Sequence, residues 1–432
     1  MRGLKQWRIL AAVATLALTL GLAACGGDDD DDGGGGGEQS LDLVIGQSLP
    51  LTGDLSDFGP PGQKAAQIAQ QQINDAIQQA GVDHKVSTVV EDNETSPQAA
   101  VQAARKMVDS DNASCIVGAW ASADTIPTAQ SVAIPDQVLL ISPASTADEI
   151  TALDDNNLVN RTSPPDSFQG PTLADAIAQD LGGAQGMTVN IGARNDAYGT
   201  GLSDTFSSAW EDLGGQVGEE VIYDPEQPSY NSEAQQITSG NPDVFVLIDF
   251  PETFVKVGPA LQRTGAWDPT KAWGTDGLAS GDLPGDVGPP VVDGMRGTAP
   301  GAPDKGEAST AFDELYNSSP PADIDRQTFD AQTFDGEILC YLAAVSAGTT
   351  DGQSMADALI DITKGGEKFT WQQLPDLINA LQNGDDVDYV GASGEIDMNQ
   401  DGDATAGVYD IYQYSGENLD IISEVPVVLP GQ

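Results

Sequence analysis

Residues 115–142 read CIVGAWASADTIPTAQSVAIPDQVLLIS. Cys115–Ala119 is a short apolar run, Asp124–Ala133 carries small and apolar residues at helical spacing, and Val138–Ser142 is a second apolar run. A strand, a helix and a strand joined by short loops describe a crossover between parallel neighbours. The same alternation extends in both directions. Upstream, strand Leu43–Leu49, helix Pro61–Ala80, strand Val86–Val90 and helix Pro97–Val108 lead into it. Downstream, strands are expected at Leu158–Thr162, Met187–Gly192, Gln216–Tyr223, Val244–Asp249 and Ala272–Thr275. Helices Gly170–Leu181, Gly199–Leu213, Glu233–Thr238 and Thr253–Thr264 fall between them. Two consecutive sets predict an α/β protein of two doubly wound parallel-sheet lobes. Thr328–Ser346 and Met355–Leu381 add helices, and the tail from Gly394 is hairpin-like.

The start of the chain is of another kind. Arg2, Lys5 and Arg8 precede an apolar run, Ile9–Leu22, too short for a membrane span and typical of a secretory signal. Leu22-Ala23-Ala24-Cys25 is similar to the bacterial lipoprotein box, which makes Cys25 the expected lipidated N-terminus after removal of residues 1–24. Residues 25–40, with five aspartates and a glycine run, have no apolar side chain to offset ordering entropy; they read as a tether. The expected location is extracytoplasmic, anchored to the membrane by lipid alone.

Seventeen basic against 67 acidic residues give a formal charge of −50, which excludes binding to nucleic acid through phosphate neutralisation. A hydrophobic content of 39% still indicates a folded chain. Beyond Cys25 there are only Cys115 and Cys340, read as two buried free thiols, with a disulfide as the alternative outside the cytoplasm. The only histidine is His84, so histidine-based triads and zinc sites lack their ligands. No nucleophile elbow or phosphate loop occurs, and an enzyme is not expected; an acidic surface hydrolase is the weakest rival. Asp397–Asp403, DMNQDGD, matches the first half of a calcium loop, but Val408 stands where the bidentate glutamate belongs. A turn between two strands is the preferred reading, with no metal or cofactor expected.

In open parallel sheets, ligands lie beyond the carboxyl ends of the strands. Ser122 follows one such strand, and Ser145 and Thr146 follow the next. Hydroxyls and free N–H groups there suit a carboxylate, although each residue equally suits a helix cap.

Several segments together resemble the type I solute-binding proteins of bacterial ABC transporters, of the branched-chain amino acid group. They include IGQSLPLTGDLSDFG, DNETSPQAAVQAARKMVD, LLISPASTADEIT, NDAYGTGLSDTFSSAWEDLGGQV and TFDGEILCYLAAVSAG. The resemblance implies two lobes joined by three crossovers, residues 41–162 with 299–393 and residues 163–298 with 394–432. It implies ligand contacts at Ser122, Ala144, Ser145 and Thr146, and aromatic lining at Phe58, Trp120, Tyr198 and Phe334. Asp276 matches the acidic position that holds a ligand ammonium, usually glutamate in the family, and Asp249 is a second acceptor at a strand end; both also suit plain capping. The implied function is a monomeric importer subunit that takes an amino acid or similar solute between its lobes and delivers it to a permease. A ligand sensor of the same fold is the alternative.

Overall fold

The computed structural model describes residues 40–303 and 305–428. Cys25, the signal and the tether lie outside the described residues. Leu41–Leu49 (β1), His84–Asp92 (β2), Cys115–Val117 (β3), Leu139–Ser142 (β4) and Val159–Arg161 (β5) form an all-parallel sheet in the order β2-β1-β3-β4-β5. Alternate side chains leave its two faces, as the period of two requires. Leu43, Ile45, Val117 and Ile141 enter one core, while Ile116 and Leu140 enter another beneath helix Pro97–Asp109. A sheet buried on both faces needs strands as apolar as CIV and LLIS, and that is why these runs do not alternate with polar residues.

The second sheet contains Thr188–Arg194 (β6), Gln216–Tyr223 (β7), Val244–Ile248 (β8), Ala272–Gly274 (β9) and Arg296–Pro300 (β10), all parallel. A small sheet follows, made of Glu367–Thr370 (β11), Val387–Gly391 (β12) and Gly394–Glu395 (β13). The chain then returns to the second sheet as the antiparallel hairpin Ala406–Ser415 (β14) and Asn418–Val428 (β15), giving the order β15-β14-β10-β9-β8-β6-β7. It therefore passes between the sheets three times. The expected division at 298/299 falls inside β10, and that at 393/394 in the turn joining β12 to β13.

Helix Asp330–Ala347 is buried on every side from Asp330 to Val345. It packs against β1, β3 and β4 and against helix Gly59–Ala80. Gly336 permits the approach: a Cβ there would sit 3.2 Å from Val117 Cγ1. The same crossing brings Cys340 to Cys115, and the two form a disulfide with a Cα–Cα separation of 6.0 Å across 225 residues. The expectation of free thiols is thereby corrected; only the long-range packing of this helix on β3 makes the pair.

Two local expectations also change. Met355–Leu381 is not all helix: Gly352–Leu359 and Leu374–Asn383 flank β11, because Gly365 and Gly366 take φ of 75° and 67° and turn the chain. Asp397–Asp403 is a turn closed by the Met398–Ala404 bridge, and Asn399 Oδ1 accepts from the N–H groups of Asp401 (2.8 Å) and Asp403 (3.0 Å). Asp403 then accepts from Arg161 Nε at 2.7 Å, a fully buried pair that ties the last crossing to the end of β5.

Replacing both Cys115 and Cys340 by alanine removes a cross-link over a long loop. The double variant is expected to lose about 2–4 kcal/mol of unfolding free energy in denaturant titration, and thiol labelling of the unfolded, unreduced native protein should detect neither residue.

Candidate functional site

The loops after the parallel strands of both sheets close on a narrow cavity of about 10 Å³, room for about one water. From the first sheet come Leu55 and Phe58 after β1, Trp120, Ala121 and Ser122 after β3, and Ala144 after β4. The second sheet supplies Tyr198 after β6, Phe250 after β8, and Asp276 and Gly277 after β9. Phe329, just ahead of helix Asp330–Ala347, completes the wall. Every strand contribution arises at a carboxyl end, where the loops are free of sheet hydrogen bonds.

One side of the cavity is aromatic. Phe329 meets Phe58 and Trp120 edge-on, with centroids 6.2 and 6.0 Å away. Trp120 adopts φ of 80°, a region costly for a bulky residue, so its surroundings must fix it. Asn93 Nδ2 donates to Ala119 O at 2.7 Å, and the Ser145 hydroxyl donates to Trp120 O at 2.7 Å. Thr125 Oγ1 is 2.7 Å from the same serine oxygen and accepts from Ala119 N–H. Ser145 thus holds the wall instead of facing the cavity.

The other side is polar. Tyr198 donates to Asp276 Oδ1 at 2.7 Å and lies 2.7 Å from Thr275 Oγ1, while Gly277 N–H donates to the tyrosine oxygen at 3.2 Å. Burial raises the Asp276 carboxyl to about 6 against the lowering pull of the Tyr198 hydrogen bond. The Ser122 hydroxyl oxygen accepts from the N–H groups of Thr146 (3.2 Å) and Ala147 (3.1 Å), so serine and loop are locked together at the cavity floor. Thr146 Oγ1 and both carboxylate oxygens of Asp166 are buried beside one another, and the threonine hydroxyl is the group that pulls against the rise in the Asp166 pKa. Asp166 N–H donates to Thr146 O at 2.8 Å, which places this residue of the second lobe beside the first lobe's loop. Burial pushes its carboxyl well above the ordinary range, and the charge of Asp276 adds to the rise.

No lysine or arginine is among the lining residues. Arg194 lies next to the site but is committed elsewhere: its guanidinium is 3.7 Å from the centroid of Phe250, whose ring stacks on Tyr198 at 5.1 Å. It bonds Asp196 and reaches Asp54 of the first lobe at 3.0 Å. Asp54 Oδ2 also accepts from Thr253 Oγ1 at 3.0 Å, so one carboxylate joins the two lobes.

Phe58, Trp120, Ser122, Ala144, Tyr198 and Asp276 line the cavity, with Ser145 and Thr146 directly behind. Asp249 and Phe334, like Ser145 and Thr146, are not among the lining residues. Asp249 accepts from Tyr223 at 2.8 Å and lies 3.7 Å from Arg194 Nη1, so its carboxylate is already partnered. Phe334 sits in the first lobe's core against Phe312 and Trp371, with centroids 4.8 and 5.4 Å away. Phe329 takes the aromatic role, because a helix buried all round sends Phe334 inward and leaves the residue before its first turn at the cleft. Leu55, Phe250, Phe329 and Asp166 were not anticipated. Phe250 had a signal, since it directly follows a strand end. The lone histidine, His84, is bonded to Tyr341 at 2.8 Å inside the first lobe and takes no part in the site.

A family model described as "Periplasmic binding protein" matches residues 42–414. An amino acid binding protein of Pseudomonas aeruginosa is 32% identical over 184 residues, 42% of this chain and 46% of that protein. The Leu/Ile/Val-binding protein homolog 3 of Brucella melitensis is 31% identical over 168 residues, 39% of this chain and 44% of that protein. The chain thus spans about half the length of the curated relatives it matches. Among solved structures, the leucine binding protein LivK of Thermotoga maritima superposes with a TM-score of 0.73 at 22% identity, covering 90% of this chain and 99% of its own. LivJ of Streptococcus pneumoniae in complex with isoleucine gives 0.72 at 17% identity, covering 90% and 100%. A Rhodopseudomonas palustris solute binding protein in complex with benzoate gives 0.68 at 17%, covering 91% and 98%. At these identities the structural likeness shows the fold, that of the type I periplasmic binding proteins.

Asp124, at the first turn of helix Ser122–Thr128, is buried with both carboxylate oxygens unpartnered, and burial, aided by the charge of Asp196, raises it to about 8. Asp276 and Asp124 therefore hold protons more tightly when folded than an aspartate in water, whose ordinary value is 3.8. Their contribution to stability is full below that value and is lost as pH rises through about 6 and then about 8. The denaturation midpoint should fall between pH 5 and pH 8.5, and Asp124→Asn should flatten the upper part of that decline.

Proposed function

Because the chain belongs to the periplasmic binding protein family, we propose that it is the solute-binding subunit of an ABC importer, taking an amino acid or a similar small solute with an ammonium group. The observation that carries this reading is Asp276: a buried carboxylate, oriented by Tyr198, on the wall of an otherwise largely apolar cavity. A carboxylate removed from water without a cation beside it is costly, and an ammonium ligand supplies the missing charge. The Ser122 hydroxyl, with its oxygen fixed by two N–H groups, keeps its proton to donate to a ligand carboxylate. The aromatic wall of Phe58, Trp120 and Phe329 receives the apolar part.

Capture proceeds by closure. Ligand contacts from both lobes exist together only when the cleft is shut, so the ligand shifts the population toward that form. The closed form is the one a membrane permease recognises. Cys25 carries the lipid that keeps the protein at the membrane surface outside the cytoplasm. The relatives of Pseudomonas aeruginosa and Brucella melitensis are binding proteins by name, which supports binding without catalysis.

Calorimetry with L-leucine and a panel of other L-amino acids tests the site. Asp276→Asn should weaken binding of the best ligand by on the order of 2–5 kcal/mol, with little change in the melting temperature of the empty protein. Full-strength binding by that variant, or a preferred ligand without positive charge, would defeat the assignment.

The anchor has its own check. The native protein should partition into the detergent phase, and Cys25→Ser should release it to the aqueous phase; an unmodified N-terminus cut elsewhere would overturn lipidation.

A further inference from the structure

Away from the cleft, the small sheet gathers three carboxylates. Lys368 on β11 is paired in register with Asp388 on β12. In the antiparallel β12–β13 pair, Val390 faces Glu395 and Gly391 faces Gly394. Asp397 lies two residues past the end of β13, where a φ of 38° turns the chain out of the extended strand. One oxygen from each of Asp388, Glu395 and Asp397 lies within 4.8 Å of the others. Carboxylates this close repel one another, so the arrangement calls for a cation.

Lys368 answers only part of that demand. Its Nζ is 2.7 and 2.6 Å from the two oxygens of Glu395 but 3.8 Å from Asp388 Oδ2, and its side chain is 58% exposed. Asp388 is 4% exposed, and its Oδ1 is buried without a hydrogen-bond partner. A carboxylate oxygen taken out of water and left unpartnered is costly, and it is the feature of this cluster that surface acids do not share.

We propose that Asp388, Glu395 and Asp397 form a site for a hard divalent cation of the calcium type. The donors are all oxygen, with no histidine or cysteine in the cluster, which selects calcium or magnesium over zinc. This is not the DMNQDGD loop read as a calcium ring: Asp403 and Asn399 of that loop are spent on Arg161 and on the turn. Only Asp397 is shared, and its partners come from the two strands before it. Lys368, an exposed ammonium on a flexible stem, occupies the mouth and swings out when the ion enters. The ion would pin the β12–β13 turn to Asp397, at the root of the segment that leads into the last crossing between the sheets. An exposed, partly preorganised set of this kind belongs with weak extracellular sites, with dissociation constants of about 10⁻⁴–10⁻³ M.

The test is calorimetry and thermal unfolding of the full chain with calcium chloride and magnesium chloride, against sodium chloride of matched ionic strength. Saturable one-site heat and a raised melting temperature with either divalent ion are expected. Both should be lost in Asp388→Asn and in the exposed variant Glu395→Gln. Lys368→Gln should keep the site and bind about tenfold tighter, because the competing ammonium is gone. Absence of saturable heat in both the native protein and Lys368→Gln overturns the proposal. So does an equal rise in melting temperature in Asp388→Asn, which would mean general screening of an acidic surface.

Discussion

Burial of helix Asp330–Ala347 on the face of β1, β3 and β4 is the contact from which the rest of the architecture follows. Its mean composition is apolar enough to be enclosed on all sides, and it comes from a part of the chain far beyond the first sheet. For it to pack there, the chain must leave the second sheet after β10 and return before β14, which produces three crossings in place of one. The same packing brings Cys340 to Cys115 and sets Phe329 at the mouth of the helix, against Phe58 and Trp120. Some polar groups enclosed with the helix are matched: Gln47 donates to Glu337 at 2.7 Å, and Asp335 accepts from Tyr389 and from the N–H groups of Ala392 and Ser393, while Glu337 Oε2 and Asp330 Oδ1 are buried without a partner.

The chain's charge acts at two scales. Over the surface, the excess of acid is solvated and mutually repelling, and it has no bearing on which fold forms. Inside, two arginines are placed where the lobes communicate. Arg161 ties β5 to Asp403 on the last crossing, and Arg194 links Asp196 in the second lobe to Asp54 in the first. Those guanidiniums are already paired with protein carboxylates, and no lysine or arginine lines the cavity beside Asp276.

Much of the fold was legible because buried parallel strands announce themselves. CIV, LLIS and VFVLI are unbroken apolar runs of strand length, separated by small-residue helical stretches, and all three are strands. The errors have local causes. A pair of glycines with positive φ divided Met355–Leu381, where periodicity alone suggested continuous helix. Phe334 was misplaced because an aromatic near a helix start has no sequence mark for which side of the first turn meets solvent, core or cleft.

By itself, the sequence determined the class of fold and the alternation of elements, because burial on two faces and the short loops of parallel crossovers both write themselves into local composition. It also marked Tyr198, Ser122 and Asp276, each of which directly follows or nearly follows a strand. The tertiary structure alone decided which acids are partnered. Asp249 and Asp276 both follow apolar strands of the same sheet, yet one meets Tyr223 and Arg194 while the other meets Tyr198 and Gln169 at the cavity wall and no cation. It likewise decided that Cys115 and Cys340 pair and that Asp166 reaches Thr146 across the lobes. These are contacts between residues distant in the chain, and their distances are set by how sheets and helices stack, which no local pattern encodes.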